Sequence, residues 1–264
     1  MTRRRGRTMA QSERTETRLT PLGAGRRAGK AVGAAATALA LLIGGAGRAA
    51  AEDAKPAYPS MAPIAQYQMA SQADEVALAR SAAPASISGD AEVLTLGARG
   101  YETAATGKNG FVCIVERGWA SDLDDAGFWN PKIRAPICFN AASARSVLPT
   151  YLQRTKWVLA GASRAQMLAR TKAAIAAGRI GRPEVGSMCY MMSKDQYLGD
   201  GAGGGHWHPH LMFFLPQGAG GAAAWGANLA DAPVMGGQVG LDPAVVYFVV
   251  VAKWSDGTPW TMAM

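Results

Sequence analysis

Short runs of β-branched and aromatic residues, punctuated by glycine and asparagine, flank one longer block with helical spacing along this chain. Residues 91–96 and 101–105 read as strands around the glycines at 97 and 100. Asn109-Gly110 is a strong hairpin signal, and the apolar run 111–115 follows it. These three strands predict an antiparallel meander. Upstream, residues 64–82 are expected to be helical, with Ser71 as an internal start before Ala77, Leu78 and Ala79.

Residues 119–140 lose the pattern. Asp122, Asp124, Asp125, Pro131 and Pro136 interrupt it, and a long irregular segment is expected. Residues 141–177 predict two or three helices. Pro149 opens one that continues through Leu152, Trp157 and Leu159. Ser163 and Gln166 have the spacing of a capping box for the next, and Gly178 ends it. Further strands are expected at 187–193, 206–215 and 245–254, with a Gly/Ala-rich connection at 218–227. The sum is an α+β domain, with an antiparallel sheet of about five or six strands and helices packed on one face.

The N-terminal region has a different character. Residues 31–47 carry no charge and contain the apolar core Leu39, Leu41, Leu42 and Ile43. Arg26, Arg27 and Lys30 precede it, and Ala49, Ala50 and Ala51 follow. This is the three-part layout of a secretory signal peptide, with cleavage expected after Ala51. The core is shorter than the roughly 20 residues that span a bilayer. The expected organisation is a signal peptide at 1–51, a proline-containing linker at 52–63 and one globular domain at 64–264. The expected location is periplasmic or secreted, with no stable membrane insertion once the leader is removed.

Export changes the meaning of the charge. The formal net charge is +8, from 27 Lys and Arg against 19 Asp and Glu. Ten of those basic residues and two of the acidic ones lie in residues 1–51, so the remainder balances at 17 and 17. A nucleic-acid partner requires a basic footprint on the folded domain, and the balanced remainder argues against that class. Three cysteines, Cys113, Cys138 and Cys189, leave one odd thiol if a pair bridges. Cys113–Cys138 is the preferred pair, because the two flank one irregular segment; buried apolar cysteines are the alternative.

The most specific chemistry is His206-Trp207-His208-Pro209-His210, which holds all three histidines of the chain. In an extended strand, alternate side chains share a face. His206, His208 and His210 would then form a nitrogen site for a divalent transition metal, zinc or copper. Same-face Cα atoms are roughly 6.5–7 Å apart, so two imidazoles converge readily and a third only if the strand bends. Pro209 and the glycines before His206 supply a candidate bend. The competing reading is a polar, aromatic edge strand with hydrogen-bonded imidazoles.

Neighbouring residues suggest further ligands. Cys189, Met191, Met192 and Met212 would give a soft sulfur environment suited to copper, or simply fill the core. Asp195 and Asp200 are candidate ligands, bases or partners of an imidazole N–H, or solvated loop carboxylates. Glu116 and Arg117 suggest a surface ion pair. The stretch 122–125 lacks the spacing of a calcium loop, and the glycine-rich loop 199–205 lacks the residues of a phosphate cradle. That loop reads as a flap over the histidines or as slack. No catalytic residue is assigned. Three functions remain: an exported metal-binding domain with a metal ion and a small-molecule ligand as partners, a metal-dependent hydrolase with an open coordination position, and a metal-free binding or structural module.

Overall fold

A computed structural model describes residues 57–201 and 205–261. The expected leader and the first linker residues, 1–56, lie outside the described residues. The chain folds as α1 (Gln72–Arg80), α2 (Ala85–Ser88), β1 (Glu92–Gly97), β2 (Gly100–Ala105), β3 (Val112–Glu116), β4 (Ala135–Phe139), α3 (Ala141–Ser146), α4 (Leu148–Leu159), α5 (Arg164–Ala176), β5 (Met188–Met191), β6 (His210–Pro216), β7 (Val234–Val239) and β8 (Ala244–Val250). The strands form one eight-stranded sheet in the order β2-β1-β3-β4-β5-β6-β8-β7. Only the β1–β3 pair is parallel. The domain is therefore mixed α+β with a mostly antiparallel sheet. Among the described residues no helix is long and apolar enough to cross a membrane.

Helix boundaries follow local chemistry. The Ser71 side chain accepts the Asp74 N–H at 3.1 Å and starts α1, so the expected long helix reduces to a single 3-10 turn, Ile64–Gln66, and then α1. Pro149 occupies the first turn of α4, where a missing N–H costs nothing. The Ser163–Gln166 capping box forms in full. Gly178 takes φ +67° just beyond α5.

Three expectations about the sheet are corrected. First, the Asn109-Gly110 turn redirects the chain and makes no hairpin. Asn109 bonds to the Ile87 carbonyl at 2.7 Å, Lys108 N–H donates to Asp90, and β3 emerges beside β1 in parallel. Gly107 makes this crossing possible, since a Cβ there would lie 2.1 Å from the Glu92 nitrogen. Second, the segment expected to be irregular contains β4, all five residues of which are buried. A strand covered on both faces shows no alternation to read, and Pro136 hides it further.

Third, the sheet has eight strands, and helices cover both of its faces. On β3, Cys113 and Val115 pack with Ala79, Ala82 and Ala83 at and beyond the end of α1. Ile114 packs instead with Val147 and Leu148, where α3 gives way to α4. A strand so placed must be apolar on both sides. The exception confirms the geometry: Glu116 and Arg117, expected as a surface pair, are buried on opposite sides and do not bond each other. Arg117 bonds Glu75 of α1 at 2.8 Å and donates from Nε to the Tyr67 carbonyl at 2.6 Å.

Cys113 and Cys138 are direct partners across β3 and β4 and form a disulfide. Cys189 is free and buried. A further cluster, Tyr67, Trp119, Phe128, Trp129, Val158 and Met167, packs the loop before β4 against α4 and α5.

Candidate functional site

Pro209 has no N–H to donate, so the β6 ladder opens only at His210. The Pro209 carbonyl still accepts from the Val251 N–H at 2.9 Å, but residues 206–208 lie before the strand, and strand alternation does not set their side chains. The three histidines meet different surroundings. His206 is exposed. His208 is half-buried with its ring edge-on to Trp260, centroids 4.5 Å apart. His210 is 1 % exposed, between Met191 of β5 and Val250 of β8. His210 Nδ1 donates to the His208 carbonyl at 2.7 Å. A carbonyl can only accept, so the proton sits on Nδ1 and Nε2 carries the lone pair. Burial pushes the His210 imidazole down to about 4, which keeps it neutral.

Trp207 connects this corner to the rest of the sheet. Its ring lies 4.3 Å from His210, 5.5 Å from His208 and 5.5 Å from Phe248, measured between centroids. Its carbonyl accepts from the buried Gln196 side chain at 2.6 Å. Among the described residues, no group of three or more His, Cys, Asp and Glu side chains stands together as a metal site would require. Cys189, Met191 and Met212 share one apolar cluster with Phe139 and Phe214.

The aspartates near the motif are also placed. Asp195 is exposed. Asp200 accepts hydrogen bonds from the Tyr58 and Tyr197 hydroxyls and from Asn130 at 3.2 Å, and pairs with Lys132 at 3.5 Å. The two phenols and the lysine hold its carboxyl below the usual range. The glycine-rich loop is tied at its ends by these contacts and by the Leu198 N–H to the Gly205 carbonyl at 2.7 Å. Gly205 lies against the Tyr197 ring at φ +86°, where a Cβ would come within 2.5 Å of it. Residues 202–204 lie outside the described residues.

A cleft of about 610 Å³ opens beside Trp207, within the range of small-molecule sites. Its apolar wall includes Trp207, Phe214, Val246, Phe248, Val147 and Tyr151. Register explains the assembly. Met212 and Phe214 of β6 lie opposite Phe248 and Val246 of β8, so all four share the face that meets α3 and α4. On β8, Ala244, Val246 and Phe248 line the cleft in succession, which makes it elongated, about 13 Å from Ala244 to Phe248.

Its other end is acidic. Asp122 and Asp242 line it, and Arg154 beneath grips both oxygens of Asp242 at 2.9 Å. Burial raises the Asp242 carboxyl, with Arg154 opposing and Asp122 adding to the rise. Glu116 is also buried. Its Oε1 has no hydrogen-bond partner among the described residues, and burial pushes its carboxyl up to about 8 against the pull of Arg154. Sequence reading misses this cleft because its residues come from segments far apart in the chain, from Asp122 to Phe248.

No protein-family model, curated protein or solved structure matches the chain.

Proposed function

We propose that this is an exported binding module that takes an apolar small molecule in the cleft between β6, β8 and the α3–α4 helices. One observation carries the reading: an elongated cleft with an aromatic wall, lined by Trp207, Phe214 and Phe248. Burying a ligand ring there removes apolar surface from water at roughly 25 cal/mol per Å². Gln196 fixes the Trp207 backbone and His210 packs against its ring, so the wall is preorganised. Export is supported by the leader layout of residues 1–51, and the Cys113–Cys138 disulfide is compatible with an oxidising compartment.

The test is titration with N-phenyl-1-naphthylamine, a neutral dye that brightens in apolar surroundings. The parent chain should show saturable binding at one site. Val246→Trp, which fills the cleft, should lose it. Non-saturable binding, or equal binding by both proteins, would overturn the reading.

A second reading stays on His206, His208 and His210, with zinc or copper as the ion. Its support is the protonation of His210: donation from Nδ1 to a carbonyl leaves Nε2 a neutral base, as in histidines that hold metals. A hydrolase with an open coordination position is the catalytic form of this reading. Elemental analysis of the purified chain tests it, beside a variant carrying His206→Ala, His208→Ala and His210→Ala. Metal in the parent and none in the variant supports it; no metal in either overturns it.

A further inference from the structure

The ligand of this cleft has a recognisable chemistry at its two ends. We infer that the cleft selects an elongated molecule with an apolar or aromatic body and a cationic head, an ammonium, placed against Asp122 and Asp242. This inference rests on the proposed binding role of the same cleft.

The argument begins with the lining. Among the described residues it contains two carboxylates, Asp122 and Asp242, and no Lys, Arg or His. The exposed Arg182 follows the lining residue Gly181 but does not itself line the cleft. Arg154, with its side chain 5 % exposed, compensates Asp242 alone, through two bonds from one nitrogen. Among the described residues Asp122 makes no ion pair. Arg164 lines the adjoining cavity that Asp122 also borders, but its guanidinium sits over the Phe128 ring, 5.0 Å from the centroid, and forms no ion pair with Asp122. Asp122, exposed at the end of the apolar slot, is thus left without a protein cation among the described residues.

Burial raises the Asp242 carboxyl, Arg154 opposes, and the charge of Asp122 adds to the rise, so Asp122 lies close enough to act on Asp242. An ammonium placed between them relieves that repulsion, and a carboxylate ligand would add to it. The run of β8 sets the direction. An ammonium at the aspartates places the apolar body along Ala244 and Val246, toward Phe248 and Trp207. There an aromatic end would meet the ring edges and faces of an aromatic corner.

The experiment uses three probes with one body: 4-phenylbutylammonium, neutral 4-phenylbutanol and anionic 4-phenylbutanoate. Calorimetric titration into the parent chain should give affinity in the order ammonium, alcohol, carboxylate. The ammonium should bind about tenfold tighter than the alcohol, the scale of one charge-assisted contact. Asp122→Asn should remove that preference, with an unchanged circular dichroism spectrum and melting temperature showing that the variant is folded. Equal binding of ammonium and alcohol, or a preference for the carboxylate, would overturn the inference and leave the cleft reading standing. Binding of none of the three at millimolar concentration would overturn both.

Discussion

His210 donates its Nδ1 proton to the carbonyl of His208, two residues earlier, at 2.7 Å. The bond turns the motif back on itself where Pro209 breaks the ladder. It also fixes the imidazole as a neutral group inside the aromatic corner of Trp207 and Phe248.

That neutrality has a pH signature. The His210 imidazole lies at about 4 in the folded chain against an ordinary 6.5. The unfolded chain therefore binds this proton first, and stability is lost as pH falls from 6.5 to 4. The loss is on the order of 3 kcal/mol. His210→Phe should remove this acid-side slope from urea unfolding free energies measured between pH 4 and 7. An unchanged slope would show that His210 is not held neutral.

Glu116 has the opposite sign. Its carboxyl is raised to about 8 from an ordinary 4.5. The folded state holds this proton longer, so stability falls as pH rises from 4.5 to 8. Between 4.5 and 6.5 the two groups oppose each other, and above 6.5 only the Glu116 fall remains. Glu116→Gln keeps the shape and removes the charge. It should be more stable than the parent at pH 8, with a difference that shrinks toward pH 5. A constant difference across that range would contradict the assignment.

The Arg117–Glu75 pair is buried on both sides, with side chains 0 % and 4 % exposed. Glu75 also accepts the Leu96 N–H at 3.1 Å, which ties α1 to β1. Glu75→Ala strands a buried guanidinium and should cost about 3–5 kcal/mol. Denaturant unfolding reads this directly. A loss near 1 kcal/mol would mean that Arg117 finds water instead.

The disulfide closes a separation of 25 residues. Replacing Cys113 and Cys138 together with alanine should lower stability by about 3 kcal/mol. Thiol titration of the unfolded, unreduced parent should find only Cys189. Three reactive thiols would contradict the pairing.

How much of this was legible depended on whether one rule was decisive. Ser71, Pro149, Ser163 and Gln166 announced their helix ends, since capping chemistry is local. The Cys113–Cys138 pairing is set by facing strand positions, which the two cysteines' flanking of a loop does not reveal. Strand β4 is hidden in the sequence because burial on both faces erases alternation. Residues 206–210 alternate as a strand would, yet Pro209 has no N–H for the ladder and the strand starts at His210. Asp200 is occupied by two phenols, one of them 142 residues away in sequence. No sequence period encodes such a contact. The cleft was illegible for the same reason, because it exists only through the register of β6 and β8.

The central claim is that Trp207, Phe214 and Val246 form the wall of one ligand cleft. Heteronuclear NMR of the labelled chain during titration with 4-phenylbutanol tests it most directly. The account predicts saturating shifts confined to the Trp207 indole, the Phe214 ring and the methyl groups of Val246 and Val147. Shifts at none of these groups, or shifts scattered over the sheet face covered by α1, would contradict it.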